Sequence, residues 1–116
     1  MNILFILNDP PYGTERCYNA LRLAHTLARQ QPEAAITVFL MADAVVGART
    51  GQKTPAGYYN MELMLKRVLA NGALLLCGTC MDARGITDDD VIDGASRSTM
   101  DALAQATLAA DRVLVF

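Results

Sequence analysis

Short apolar runs alternate with helix-patterned stretches along the whole of this 116-residue chain, and that alternation leaves few folds open. Asn2–Leu7 is apolar from Ile3 onward and is closed by Asn8-Asp9-Pro10-Pro11-Tyr12-Gly13, where the prolines forbid helix and strand ladder alike. A strand covered on both faces reads this way. Glu15–Gln30 places Cys17, Ala20, Leu21, Ala24, Leu27 and Ala28 on one helical face. Arg22, His25 and Arg29 lie on the other, where His25 is read as solvated and without a role, and Gln31-Pro32 stops the helix. Ala35–Met41 is a second strand, rich in β-branched and aromatic residues. Ala42–Gly57 reads as a loop, of a length that is often functional or mobile. Tyr58–Asn71 reads as a second helix with Met61, Met64, Leu65 and Val68 on one face and Asn71-Gly72 as its stop. Ala73–Cys77 is a third strand, and Gly78–Ile86 a loop. A helical turn begins at Thr87 or Asp88, with acidic residues in its first turn. Thr99–Ala110 is the last helix and Arg112–Phe116 the last strand.

Strands that alternate with helices imply a parallel sheet with helices on both faces and right-handed crossovers. The expected fold is therefore α/β: a flavodoxin-like or Rossmann-like three-layer sandwich, a sheet of four to five strands, one domain over residues 1–116. In such sheets ligands and chemistry gather at the carboxyl ends of the strands. Three segments lie there: Asn8–Thr14, Ala42–Gly57 and Cys77–Gly85.

Composition narrows the function classes. Hydrophobic residues make up 53%, about 60% once glycine is included, against a typical ~45–50% on that count. The surplus argues against disorder and for apolar surface buried between subunits. A net charge of −2 without a basic run argues against nucleic acid as a partner. No apolar stretch is long enough to span a membrane, and Ile3–Leu7 is too short for a signal-peptide core, so a cytoplasmic protein is expected. There its three cysteines would stay reduced.

Cys77 and Cys80 carry the clearest chemistry. Both follow the third strand; Gly78 would let the backbone turn sharply, and Arg84 is a nearby cation. Helical-turn N–H groups and a guanidinium favour thiolate over thiol, and the thiolate is the nucleophile. The competing readings are a small buried hydrophobe and a thioredoxin-like redox pair, although that pair ordinarily opens a long helix after the first strand of its unit. A zinc site would need Cys17 and His25 as further ligands, and these lie on different faces of one helix. Cys17 is read as a packing residue. The Asn8–Gly13 loop could cradle an anion, yet it lacks glycine-rich phosphate signatures, and Pro10 and Pro11 remove two donors. Asp88-Asp89-Asp90 resembles a carboxylate cluster only in sequence. The ligand-contacting residues expected on these grounds are Asn8, Tyr12 and Gly13 from the first loop, Arg49 and Lys53 from the second, and Gly78, Thr79 and Gly85 from the third. No cofactor or metal is expected.

The chain resembles the YchN-like branch of the DsrE/DsrF family over nearly its whole length. The resemblance is carried by Asn8 with Pro11-Tyr12-Gly13, Leu21-Arg22-Leu23-Ala24, Phe39-Leu40-Met41 with Asp43-Ala44-Val45, and Gly51-Gln52-Lys53. Its most specific piece is Cys77-x-Thr79-Cys80-x-Asp82-x-Arg84-Gly85-Ile86. Ile92-Asp93-Gly94 and the closing Thr107-Leu108-x-Ala110-Asp111-x-Val113-Leu114-x-Phe116 complete it. The resemblance implies a flavodoxin-like domain in a homo-oligomer, a hexamer built from trimers. It also implies a sulfur relay in which a strand-terminal cysteine ahead of an Arg-Gly pair carries sulfane sulfur as a persulfide, received from a donor protein and passed to an acceptor. Spacing to Gly85 puts Cys77 in that position, with Cys80 as the branch's extra cysteine and Arg84 as its cation. Cys17 departs from the aliphatic residue usual there. Two rivals stand beside this reading. One is a non-enzymatic oligomeric module binding a small anion or a protein near Arg49, Lys53 and Arg84; the other is a thiol-disulfide oxidoreductase.

Overall fold

Successive residues of a strand face opposite sides of its sheet, so an uninterrupted apolar strand needs cover on both. The computed structural model, which describes residues 1–116, provides it. The strands are β1 (Asn2–Leu7), β2 (Ala35–Leu40), β3 (Ala73–Cys77), β4 (Ala95–Ser98) and β5 (Arg112–Val115). The helices are α1 (Arg16–Gln30), α2 (Met61–Leu69), α3 (Gly78–Ala83) and α4 (Met100–Ala109). All strands are parallel, in the order β4-β3-β2-β1-β5. Ile3, Phe5 and Leu7 of β1 join the main core with the buried stripe of α1 (Cys17, Ala20, Leu21, Ala24). Leu4 faces the other way, packing with Phe39 and with Leu103 of α4. The expected α/β sandwich and parallel sheet are thus present.

Four local expectations change. Ala95–Ser98 forms β4, a strand too polar to read as one; it is the edge of the sheet, where Ser and Arg side chains face solvent. The second helix begins at Met61, not Tyr58, because Asn60 caps it: its side chain accepts the Leu63 N–H at 3.1 Å. The segment after β2 is packed, since Ala42–Ala48 winds as a 3-10 helix that buries Ala44, Val45 and Ala48. Gly78–Ile86 is not a loop: Gly78–Ala83 is α3.

Local chemistry at both ends explains α3. At its start the Cys77 side chain accepts the Cys80 N–H at 3.4 Å. At its end Gly85 adopts φ +65°, a left-handed conformation that favours glycine. The Ile86 N–H then reaches the Met81 carbonyl at 3.0 Å and the Gly85 N–H that of Asp82 at 3.2 Å, the paired bonds of a Schellman stop. Met81 and Ile86, which the first of these bonds joins, are both buried.

Candidate functional site

The carboxyl ends of β2, β3 and β4 meet around the two cysteines. Cys77 is half-buried at the last position of β3 and caps α3. Besides the Cys80 N–H, its Sγ lies 3.3 Å from the Thr79 hydroxyl. Burial by itself would raise this thiol. Hydrogen bonds from the Cys80 thiol, the Thr79 hydroxyl and the backbone N–H groups of Cys80 and Thr79 outweigh it and bring Cys77 below its ordinary value. Cys80 goes the other way. Burial and the bond it donates to Cys77 raise it, against an opposing N–H from Ala42, 3.2 Å from its Sγ. The two thiols are therefore shifted in opposite directions, Cys77 down and Cys80 up. Ala42 holds φ 51°, uncommon for a residue with a side chain, and this aims its N–H at Cys80.

Two ion pairs frame the site. Arg84 does not reach Cys77: its guanidinium holds Asp43 at 2.8 Å and the Cys80 carbonyl at 3.1 Å. Its charge therefore falls on Cys80, whose thiol it favours in the ionised form. The cation nearest the start of α3 is Arg97 of β4, paired with Asp82 at 2.7 Å. A side chain on Gly78 would lie 2.8 Å from Arg97 Nε. Gly78 thus makes room for a guanidinium; its backbone is not left-handed, so a sharp turn is not the reason for glycine there. Arg97 escaped the sequence reading, and Asp43 and Asp82 entered it only as motif residues without a site role. Arg97 was hidden because Ala95-Ser96-Arg97-Ser98 carries no strand pattern, and Asp43 and Asp82 because only tertiary pairing gives them partners.

The remaining expected residues are dispersed. Asn8 directly follows β1, two strands from β3, a separation of roughly 10 Å at the usual strand spacing. Tyr12 bonds Gln52 through its hydroxyl, which also accepts the Met61 N–H at 3.0 Å. It stacks with Tyr59, which stacks in turn on Tyr18 and Tyr58, so Tyr12 serves an aromatic cluster that joins the first loop to α2. Gly13 closes a turn on the Pro10 carbonyl. Arg49 bridges to Val91 and lends charge to Asp90, while Lys53 is exposed without an ion-pair or hydrogen-bond partner. Thr79 and Gly85 stand at the start and stop of α3. No three His, Cys, Asp or Glu side chains converge anywhere in the chain. No helix is long and apolar enough to cross a membrane.

Cys17 is 1% exposed and donates its S–H to the Asp9 carbonyl at 3.2 Å. Burial, reinforced by the Asp9 carboxylate, pushes its thiol up to about 11 from 9.0. Folding therefore favours the neutral thiol. This contribution is intact below pH 9 and is lost as pH rises toward 11, about 3 kcal/mol in all. Urea unfolding at pH 8 and pH 10.5 should show that loss, and Cys17→Val should remove most of this pH dependence.

His25 is not solvated on the polar face of α1. Its Nε2 lies 3.0 Å from the Met64 carbonyl oxygen of α2, tying the two helices together.

Comparison with known proteins follows the same lines. The chain is 44% identical over 115 residues to Protein YchN of Escherichia coli, covering 98% of this chain and 97% of that one. The crystal structure of that protein superposes with a TM-score of 0.94, covering 100% of this chain and 99% of the other. An uncharacterized protein of Methanocaldococcus jannaschii is 35% identical over 117 residues, covering both chains completely. Sulfurtransferase TusD of Salmonella arizonae is 32% identical over 130 residues, again across both chains. The sequence profile of the DsrE/DsrF-like family matches residues 1–116, and with these relatives it establishes that the chain belongs to that family.

Proposed function

We propose that the protein is a sulfane-sulfur carrier, with Cys77 as the residue that is loaded. The observation that carries this reading is the capped position of Cys77: its sulfur accepts the Cys80 N–H at 3.4 Å and lies 3.3 Å from the Thr79 hydroxyl, and hydrogen bonding outweighs burial in setting its acidity. Family membership and the TusD relative support the sulfur-relay theme.

In the proposed step the Cys77 thiolate attacks the outer sulfur of a donor persulfide. A bond forms between Cys77 Sγ and that sulfur, the donor's own S–S bond breaks, and the electron pair leaves on the donor thiolate. The N–H groups and the Thr79 hydroxyl that favoured the thiolate remain to hold the terminal sulfur. Release takes one of two routes. An acceptor thiolate can take the outer sulfur and return Cys77 as thiolate. Alternatively Cys80 can attack Cys77 Sγ, forming the 77–80 disulfide and expelling hydrogen sulfide.

The proposal includes a cytoplasmic setting, where thiols stay reduced, and a homo-oligomer, a hexamer by family resemblance. Support for assembly comes from the α4 side of the sheet. Leu103 is the one buried residue of α4, while Met100, Leu108 and Val115 are exposed. The rival reading, an anion-binding module near Arg49, Lys53 and Arg84, has less to rest on, since Asp43 already occupies Arg84.

The deciding experiment is intact-protein mass spectrometry after treatment with a low-molecular-weight persulfide. The expected result is a reductant-sensitive gain of about one sulfur, ~32 Da, mapping to the peptide that contains Cys77. No gain, together with slow native-state alkylation of Cys77 and Cys80, would make both cysteines structural and favour the binding-module reading.

A further inference from the structure

At the amino-terminal end of the sheet, opposite the cysteines, α1 and α2 flank a solvent-open cavity of about 200 Å³. Ala28, Ile36 and Val68 form its apolar wall; His25 and Arg29 from α1 and Arg67 from α2 supply its polar lining. No carboxylate lines it. Arg16, Arg84 and Arg97 each have an acidic partner, but Arg29 and Arg67 have neither an ion pair nor a side-chain hydrogen bond. His25 is held in place by its bond to Met64. Burial, with a smaller contribution from the Arg67 charge, disfavours its protonated form against the opposing Met64 bond, so the positive charge of the lining comes from Arg29 and Arg67, neither of which has an ion-pair partner.

We propose that this cavity binds a small organic monocarboxylate with an apolar body, its carboxylate between Arg29 and Arg67 and its body against Ile36 and Val68. Size and chemistry both set the class. Sites for drug-sized ligands run to ~300–1,000 Å³, so this one suits a single ring or a short branched chain. The planar guanidinium fork matches a carboxylate, and charge-assisted bonds of this kind are stronger than neutral ones. A bare inorganic anion would leave the apolar wall unused. The site is independent of Cys77, and sulfur loading neither requires nor tests it.

The chain has one histidine, so the His25 ring gives a single NMR reporter inside the cavity. Benzoate is the probe, with benzamide and sulfate as controls. Benzoate should shift the His25 resonances saturably and move its titration midpoint to higher pH, because a bound carboxylate favours the imidazolium. The Arg29→Gln, Arg67→Gln double variant should weaken benzoate binding at least ~10-fold. Both arginines are exposed and unpaired, so this variant should fold as wild type does. Ala28→Leu, which fills the cavity from its wall, should abolish the saturable shift while the Cys77 alkylation rate stays unchanged. Benzamide binding as tightly as benzoate would overturn the proposal, as would sulfate displacing benzoate at equal concentration. So would the absence of any saturable change up to about 10 mM benzoate.

Discussion

Cys77→Ser should carry no sulfane sulfur after treatment with a persulfide donor, whereas Cys80→Ser should still load. A serine hydroxyl is not ionised at neutral pH and cannot accept the sulfur, so the expected effect is complete loss. The same asymmetry should appear without any donor. An ordinary thiol is only a few per cent thiolate at pH 7. Cys77 is drawn below that ordinary value by hydrogen bonds, and Cys80 is pushed above it, chiefly by burial. Iodoacetamide at pH 7 should therefore modify Cys77 at least ~10-fold faster than Cys80, and buried Cys17 only on unfolding. The pH profile separates the contributing groups. Thr79→Val removes the hydroxyl 3.3 Å from Cys77 Sγ and keeps the backbone donors, so the alkylation midpoint should move to higher pH. Arg97→Gln should move it in the same direction by less, since the guanidinium is a secondary contributor beside the hydrogen bonds. At a pH above both midpoints all variants retaining Cys77 should alkylate at similar rates. If Cys80 proves the faster thiol at pH 7, the assignment of roles within the pair is reversed.

The second large effect concerns stability. Gly72→Ala should lower the unfolding free energy by about 2–3 kcal/mol, at the upper end of the range for overpacked sites. Gly72 follows α2 and donates its N–H to the Val68 carbonyl at 2.8 Å. A methyl group built on it would overlap the carbonyl oxygen of Ile36 and lie 3.2 Å from that of Val68. Both neighbours are backbone, so relief requires moving β2 or α2 rather than turning a side chain. The stiffer unfolded chain returns only ~0.4–1 kcal/mol of the loss. Gly85→Ala is the natural comparison. Its φ of +65° is costly for alanine, but no atom lies within 4 Å of the added carbon. That variant should lose about 1 kcal/mol, the price of a left-handed alanine alone. Urea unfolding of the two should rank Gly72→Ala as the more damaged; the reverse order would mean that the α2–β2 approach relaxes easily.

This ranking was not legible in the sequence. Asn71-Gly72 read there as a helix stop and Gly85 as part of a functional loop; neither reading contains the Ile36 carbonyl, which is distant in the chain. The fold itself was legible. The uninterrupted apolar character of Ile3–Leu7 required helices on both faces of β1, and the alternation of segments required parallel strands. The position of the cysteines at a strand's carboxyl end followed from the same alternation, as did the burial of Cys17 from its place on the stripe of α1.

What the sequence determined, then, was much of what near neighbours and period govern: the strands with strong apolar pattern, the faces of the helices, and the placement of Cys77 and Cys80 at a strand's carboxyl end. Tertiary structure alone decided β4, because a polar edge strand is stabilised by the ladder it joins rather than by its own side chains. It decided that Arg84 belongs to Asp43 and Cys80, that Arg97 stands over Gly78, and that His25 ties α1 to α2. The physical reason is common to all three. A charge or hydrogen bond acts over a few ångströms of space, and which distant segments come that close is set only when the sheet is assembled.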